Sequence, residues 1–200
     1  MSWSLALLFG YLLGSIPFGL ILTHISGVGD LRTIGSGNIG ATNVLRTGRK
    51  GLAAATLLLD MGKGLAAILL AQRLFGAALP LIGAAAGAGA MLGHCFPVWL
   101  RFKGGKGVAT LMGVSLGLGW PIGLAYALVW LGVLAATRIS SLAGMSGAVA
   151  APIAALLSGR GELAPVFAAL AALVLWLHRA NIARLRAGAE PRVGGTKTSA

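Results

Sequence analysis

Seven apolar stretches, separated by short polar segments, take up most of this 200-residue chain. With about 20 apolar residues as the length of one membrane crossing, they predict helices over 3–24, 51–71, 78–96, 107–119, 121–137, 142–158 and 164–181. The composition, 57% hydrophobic and only 10% charged, lies outside the range of soluble globular domains. The sequence therefore predicts an all-α, polytopic integral membrane protein with seven transmembrane helices, in which the 32 glycines allow close helix contacts.

The fourth stretch, 107–119, is the shortest of the seven. Its roughly 13 residues, at about 1.5 Å each, reach only about 20 Å. The bilayer therefore has to thin around it, or neighbouring residues extend it, or it is partly buried. Glycines four residues apart, such as Gly10 with Gly14 and Gly113 with Gly117, predict tight packing between helices.

Lysine and arginine are divided unevenly between the two sides of the predicted membrane. Thirteen of the 16 lie after the first, third and fifth stretches and in the tail, whereas only Arg73 and Arg160 lie on the opposite side. The positive-inside rule then places the N-terminus in the periplasm and the C-terminus in the cytoplasm. The same rule accounts for the net charge of +12, so no nucleic-acid partner is expected. We expect residues 1–187 to form the membrane domain and 188–200 a short, disordered cytoplasmic tail.

Polar residues concentrate in three cytoplasmic segments, of which the first has the sequence GSGNIGATNVLR over 35–46. Its hydrogen-bond donors are Ser36, Asn38, Thr42, Asn43 and Arg46. So many donors together suit an anionic or carbonyl-rich ligand. A structural role stays open beside this one, because Ser36 or Asn38 would also suit the N-cap of a short interfacial helix ending near Gly48.

The second segment, HCFPVWLRFKGGKGVAT over 94–110, contains a glycine-rich turn that leads into an apolar helix. Inward-facing backbone N–H groups, the positive start of a helix and two lysines together predict a phosphate cradle. Its residues are Lys103, Gly104, Gly105, Lys106, Gly107 and Thr110. It is not a Walker A loop, because Gly107 stands where that motif requires Ser or Thr. A cationic turn at the membrane edge is the alternative.

The third segment, HRANIARLRAGAE over 178–190, places His178 three residues before Asn181, with Arg184 three residues further on. On a continuing helix the three side chains share one face, so an imidazole and an amide would reach the cytoplasmic boundary together. The alternative is that His178 is only an interfacial anchor.

The four carboxylates are placed poorly for general-base catalysis. Asp60 lies three residues before Lys63 inside an apolar stretch, where we expect the two charges to pair. Asp30 and Glu190 flank the polar segments, and Glu162 lies on the opposite side. The single cysteine, Cys95, permits neither an intramolecular disulfide nor a cysteine-based metal site, and we expect no metal and no cofactor.

The three segments, in this order and at these separations, resemble the bacterial membrane glycerol-3-phosphate acyltransferases that use acyl phosphate, the PlsY family. The matching motifs are GSGNIGATN followed by Arg46, HCFP followed by FKGGKGVAT, and HRANIARL followed by Glu190. The residues 98–101 depart mildly from the family, which is usually rich in aromatic residues there. The resemblance implies that a fatty acyl group passes from acyl phosphate to the 1-hydroxyl of glycerol 3-phosphate, at the cytoplasmic face of the bacterial inner membrane. The products are lysophosphatidic acid and phosphate, and coenzyme A is not used.

The resemblance also implies residue roles and partners. The expected catalytic residues are Ser36, Arg46, His178 and Asn181. The expected phosphate-binding residues are Asn38, Thr42, Asn43, the segment Lys103 to Gly107, Thr110 and also Ser141, at the start of the sixth stretch. The implied partners are acyl phosphate, glycerol 3-phosphate, membrane lipid and the soluble enzyme that makes acyl phosphate.

The chemistry of an acyl phosphate agrees with these residues. It is a mixed anhydride with a good leaving group, so the enzyme mainly has to hold two anions together and align a hydroxyl group. Either His178 or the substrate's own phosphate would accept the hydroxyl proton, and we favour the phosphate.

Two other classes of function compete with acyl transfer. A transporter of an organic phosphate would also need a cationic vestibule, but the cations stay on one side and matched mid-span Gly/Pro breaks are lacking. An assembly subunit would explain the glycines but not the donor-rich segments.

Overall fold

The computed structural model describes residues 2–76 and 80–194, and this part of the chain is helical with no β-strand. Its α-helices are α1 (Ser2–Gly14), α2 (Phe18–Ile25), α3 (Ala41–Leu45), α4 (Lys50–Phe75), α5 (Pro80–Cys95), α6 (Val108–Leu118), α7 (Trp120–Thr137), α8 (Ser140–Leu157), α9 (Ala164–Leu177) and α10 (Arg179–Arg186). Single helical turns, Leu31–Thr33, Val98–Leu100 and Gly161–Leu163, lie in the connections. The all-α prediction is therefore confirmed over the described ranges. The predicted start of the third helix at 78–79 lies outside them.

Five segments of the described chain are long and apolar enough to cross a membrane. They are Ser2–Ile25, which combines α1 and α2, then Lys50–Phe75, Leu81–Leu100, Trp120–Thr137 and Ser140–Leu157. The bent pair α9 and α10 makes a sixth if the two helices are taken as one span, and α6 is a shorter apolar helix. Large leucines such as Leu128 and Leu157, 60% and 84% exposed, lie on the outside of the bundle, as lipid contact requires.

The first predicted helix, 3–24, is not continuous, which corrects the sequence-based expectation. Pro17 has no N–H group, and the chain breaks between Gly14 and Phe18. The break frees backbone carbonyls that would be costly inside a membrane. The Lys63 ammonium donates to the Ile16 oxygen at 2.7 Å, and the Trp99 indole donates to the Ser15 oxygen at 2.9 Å. Side chains from other segments therefore donate hydrogen bonds to the backbone carbonyls that this break frees.

Small residues bring two pairs of helices into backbone contact. A Cβ added to Gly14 of α1 would overlap the backbone of Ala90 in α5. Likewise, a Cβ on Gly113 of α6 would overlap the carbonyl of Met61 in α4. The prediction that these glycines serve tight packing is confirmed, and the packing fixes the depth of α5 and α6 relative to α1 and α4.

The short helix α6 begins part-way along α4. Gly64 lies against the backbone of Thr110, and Ile68 lies against Gly117, so α6 runs beside the second half of α4. At about 1.5 Å per residue, its first residue therefore lies roughly 15 Å beyond the start of α4. Seven of its 11 residues are buried. The shortness of α6 is thus explained by burial: the segment before it dips into the membrane domain.

The seventh predicted helix, 164–181, is also broken. Helix α9 ends at Leu177 and α10 starts at Arg179, with a bend of 61° at His178. The expectation that His178 and Asn181 share the face of one continuing helix is therefore wrong. The bend turns α10 away from the axis of α9 at the level of the polar segments.

The tail is ordered further than predicted. The Val193 N–H donates to the Arg138 carbonyl at 2.7 Å, and the Arg138 guanidinium donates to the Val193 oxygen at 3.0 Å. These bonds tie the tail to the turn between α7 and α8. The prediction of disorder is wrong for 188–194, whereas 195–200 lie outside the described residues.

Candidate active site

The three polar segments meet around one open cavity of about 120 Å³. Its walls come from the loop 36–46, the start of α6, the start of α8, the α9–α10 bend and the tail. Ten of the 14 predicted site residues line it: Ser36, Asn38, Thr42, Asn43, Arg46, Lys106, Gly107, Ser141, His178 and Asn181. Lys103, Gly104, Gly105 and Thr110 do not line it.

Asn43 organises the first segment. Its Oδ1 accepts bonds from the Ser36 N–H at 3.1 Å and the Ser36 hydroxyl at 3.3 Å. Its Nδ2 donates to the carbonyls of Leu31 at 3.0 Å and Ile34 at 2.8 Å. The amide is almost fully buried and all these bonds are internal, so Asn43 folds the loop.

The predicted side-chain N-cap at Ser36 or Asn38 is not found. The short helix α3 is preceded by Gly40, which makes no side-chain cap, and it ends at Leu45, before Gly48. Asn38 instead accepts a bond from the Gly40 N–H at 2.9 Å. Asn43 is used within the loop, whereas Ser36, Thr42 and Arg46 are exposed and Asn38 lines the cavity with only its Oδ1 used in the loop.

The glycine-rich turn does not present its first N–H groups to the cavity, contrary to the prediction of a backbone cradle. The Gly104 N–H donates to the Cys95 carbonyl and the Gly105 N–H to the His94 carbonyl, both at 3.0 Å. They satisfy carbonyls at the end of α5. Gly107 has φ +79°, and a Cβ there would overlap Met91. These glycines allow the turn to pack closely against α5. The residue of the turn that brings a positive charge to the cavity is Lys106.

Two further predicted residues lie elsewhere. Lys103 lines a separate surface recess with Arg32, Trp99, Leu100 and Arg101. Thr110 is completely buried in the first turn of α6, against Gly64 of α4. The sequence places both next to Lys106, but the turn and the helix carry their side chains in other directions.

The bend at His178 sets the ring's orientation. Its Nδ1 lies 2.8 Å from the Val174 carbonyl, which only accepts, so Nδ1 carries the proton in this contact. In the neutral ring, Nε2 is then the acceptor nitrogen. Asn181, in the first turn of α10, accepts a hydrogen bond from the Lys106 ammonium. Segments two and three are thus joined directly.

Glu190 is a central member of the site, although its position in the sequence predicts a place at the edge. Its carboxylate accepts bonds from the Ser141 hydroxyl and the Arg184 guanidinium, both at 2.7 Å, and from the Asn181 amide. It therefore ties α8 and α10 to the tail. The available signal was an isolated acid nine residues after Asn181, in a segment otherwise rich in arginine.

The cavity is electropositive. Arg46, Lys106 and Arg184 line it against the carboxylates of Glu190 and Asp60, and the Asp60 charge is already paired with Lys63. Burial opposes ionisation of Glu190, but the hydrogen bonds from Ser141, Asn181 and Arg184 outweigh it, and its pKa lies below the ordinary value. Partial burial lowers the pKa of Lys106, and the nearby Arg184 and Arg46 lower it further. The site has a surplus of positive charge that an anion would relieve.

The inner end of the cavity holds ionisable groups that the sequence did not assign to the site. Asp60 and Lys63 pair at 2.7 Å, as predicted, and His94 Nδ1 lies 3.7 Å from the same Asp60 oxygen. Asp60 and His94 both line the cavity. The described residues contain no group of three or more His, Cys, Asp or Glu side chains that would hold a metal ion.

An apolar helical bundle with a cationic, hydroxyl- and amide-lined cavity sunk among its helices is an integral membrane protein built to bind an anion next to lipid. Comparison with known sequences identifies the family. Residues 4–188 match the sequence profile of the glycerol-3-phosphate acyltransferases, and the chain belongs to that family.

Individual relatives extend over nearly the whole chain. A glycerol-3-phosphate acyltransferase of Novosphingobium aromaticivorans is 69% identical over 96% of both chains. That of Erythrobacter litoralis is 62% identical over 96% of this chain and 95% of its own. The crystal structure of PlsY in its glycerol 3-phosphate form superposes with a TM-score of 0.89 at 38% identity, covering 97% of this chain and 96% of that one. Its lysophosphatidic acid form gives 0.87 at 37% identity, covering 96% and 95%.

Proposed function

We propose that this protein transfers a fatty acyl group from acyl phosphate to the 1-hydroxyl of sn-glycerol 3-phosphate, the first acylation step of phospholipid synthesis. The products are lysophosphatidic acid and inorganic phosphate. The observation that carries the proposal is the cationic cavity itself, lined by Arg46, Lys106 and Arg184 and set among lipid-facing helices. The glycerol 3-phosphate and lysophosphatidic acid forms of the similar PlsY structure support the acceptor and the product.

The reaction needs two anions side by side. In the proposed step the substrate hydroxyl oxygen attacks the acyl carbonyl carbon, a new C–O bond forms, and the bond from that carbon to the phosphate oxygen breaks. The hydroxyl proton passes to phosphate. Arg46 and Lys106 offset the repulsion between the phosphates and stabilise the charge that develops on the leaving group. No cofactor enters this scheme.

The uncharged groups of the cavity align the acceptor. Ser36 and Thr42 are exposed hydroxyls at the mouth, and His178 offers Nε2 as an acceptor for the substrate hydroxyl. Asn181 holds the Lys106 ammonium, and Ser141 holds Glu190. We assign Ser36, Arg46, His178 and Asn181 to catalysis in this sense, with His178 as the orienting acceptor.

We further propose seven crossings of the bacterial inner membrane: α1 with α2, α4, α5, α6, α7, α8, and α9 with α10. The charge asymmetry puts the N-terminus in the periplasm and the cavity on the cytoplasmic side. Residues 1–187 would then form the membrane domain and 188–200 the cytoplasmic tail. This orientation lets a soluble enzyme that makes acyl phosphate supply the donor, whose chain enters from the bilayer.

Purified protein in lipid vesicles, supplied with acyl phosphate and glycerol 3-phosphate, tests the reaction. We expect phosphate release that depends on glycerol 3-phosphate and matches the lysophosphatidic acid formed. Arg46→Ala should reduce the rate by roughly 10²-fold or more, as for other groups that stabilise developing charge. The matched control Arg101→Ala, outside the cavity, should retain activity. Uptake of glycerol 3-phosphate into vesicles without acyl transfer would instead indicate a transporter.

A further inference from the structure

The buried cluster at the inner end of the cavity contains one histidine that the proposed reaction does not use. Asp60, Lys63 and His94 are each no more than 4% exposed. Lys63 has a clear structural role, because its ammonium pairs with Asp60 and donates a hydrogen bond to the Ile16 oxygen at the helix break. His94 Nδ1 faces Asp60 at 3.7 Å but makes no hydrogen bond within the described part of the chain. An ionisable ring at such depth is costly without a function.

The two polar atoms through which His94 and Asp60 face each other are closed to a substrate. His94 Nδ1 and the facing oxygen of Asp60 are both inaccessible to solvent. The ring edge that carries Nδ1 therefore cannot bind a substrate, and the opposite edge, with Nε2 and Cε1, contacts a neighbouring residue.

The neighbour is Gly105. Its N–H donates to the His94 carbonyl at 3.0 Å, and a methyl group in place of its hydrogen would overlap Nε2 and Cε1 of the ring. The imidazole thus lies between the Asp60 carboxylate on one side and the backbone of Gly105 on the other. The next residue along the chain is Lys106, whose ammonium bonds to Asn181 at the cavity wall.

We propose that His94 is a positioning residue for Lys106. Its ring, packed between Asp60 and Gly105, supports the backbone at Gly105 and so sets the position at which the Lys106 ammonium meets the substrate phosphate. The inference rests on the proposed acyltransfer function, since it needs a phosphate at Lys106. A displacement of about 1 Å in such a group costs up to about 10²-fold in rate.

The variant His94→Asn separates the two contacts of the ring. The Asn amide occupies the place of Nδ1 and still faces Asp60, but it lacks the ring atoms beneath Gly105. We expect the KM for glycerol 3-phosphate to rise about tenfold, within the range that misplacing a positioned group produces. The control His24→Asn, on an exposed position of α2, should leave KM unchanged.

A size-exchange pair tests the contact itself. Gly105→Ala should raise KM strongly, because the added methyl group overlaps the ring. In the His94→Ala background there is room for that methyl group, so the double variant should be less impaired than the product of the two single effects. This outcome supports direct contact, whereas multiplicative or worse impairment would overturn it.

A double-mutant cycle with Lys106→Met separates positioning from general destabilisation. If His94 acts through Lys106, then His94→Asn should change the KM and the Kd for glycerol 3-phosphate little once the ammonium is gone. An equal fold-change in both backgrounds would reject the proposal and leave His94 with a packing role only.

The same cycle keeps this inference apart from the proposed function. A wild-type protein that transfers no acyl group would refute the proposed reaction. The Kd for glycerol 3-phosphate, measured by calorimetry on the four proteins of the cycle, would still decide whether His94 and Lys106 are coupled. Wild-type activity together with an additive cycle would refute the inference alone.

Discussion

At the scale of single residues, the site depends on side chains that hold other side chains. Asn43 folds the loop that presents Ser36, and Glu190 ties Ser141 to Arg184. The residues that remain for the substrate are fewer than the motifs suggest. Each can therefore be tested for a single chemical task.

The hydrogen bond from His178 to the Val174 carbonyl limits the role that the imidazole can take in the reaction. Because Nδ1 donates to that carbonyl, Nε2 of the neutral ring is an acceptor. If phosphate takes the proton and His178 only orients the hydroxyl, His178→Gln should keep kcat within about tenfold, whereas His178→Ala should lose about 10²-fold or more. Steady-state kcat and KM for both variants give the measurement. Equal losses would assign proton transfer to the imidazole.

Lys106 should make substrate binding sensitive to alkaline pH. Burial and the neighbouring arginines lower its pKa, so its charge is lost at a lower pH than that of an ordinary lysine. The KM for glycerol 3-phosphate should therefore begin to rise with pH at values below the ordinary lysine pKa of about 10.4.

Two variants at lysine positions provide the comparison for this pH profile. Lys106→Arg stays charged over the whole range and should flatten the profile. Lys103→Arg, in the separate surface recess, should keep the wild-type profile. A profile that Lys106→Arg leaves unchanged would assign the titration to another group.

At the scale of secondary-structure elements, direct backbone contacts at glycines determine how deep the polar segments lie in the helical bundle. Gly10 and Gly14 of α1 meet the backbone of α5, and Gly64 and Gly113 join α4 to α6. In lipid, where burial of apolar surface gives little, such packing is a main source of helix association. It places the start of α6, and with it Lys106, beside the middle of α4.

Gly14 gives the direct test of this packing. Gly14→Ala forces a methyl group into the backbone of Ala90 and should destabilise the fold by about 1–3 kcal/mol, the usual cost of overpacking. Gly132→Ala in α7, where an added Cβ meets nothing within 4 Å, is the matched control. Thermal unfolding in detergent, followed for both variants, should show a lower midpoint only for Gly14→Ala.

At the scale of the whole molecule, the two faces of the bundle differ in charge and in chemistry. The cationic segments and the cavity share one face, while Arg160 and Glu162 pair with each other in the turn before α9. This asymmetry predicts the orientation in the membrane.

Single cysteines test that orientation. The native Cys95 is buried, and burial keeps a thiol from reagents in water. In spheroplasts, which lack the outer membrane but keep an intact inner membrane, Arg160→Cys should react with a membrane-impermeant maleimide. Arg192→Cys should react only after the inner membrane is permeabilised. Equal labelling of both positions before permeabilisation would contradict the proposed orientation.

The sequence by itself determined the helical class, most of the helix positions, and which three polar segments are candidates for the site. Apolar length and charge asymmetry are local properties of the chain, so they can be interpreted without a fold. The Asp60–Lys63 pair was predictable for the same reason, since the two charges lie one helical turn apart in an apolar stretch.

Only the tertiary structure decided where individual side chains point. The break at Pro17 is stabilised by a distant segment, through the bond from Lys63 to the Ile16 oxygen, and after the bend at His178 the Asn181 amide meets Lys106. The N–H groups of Gly104 and Gly105 serve the end of α5, and Glu190 returns from the tail to bind Asn181. Polar groups inside a membrane must find partners wherever the packing brings them, and packing is a property of the whole bundle.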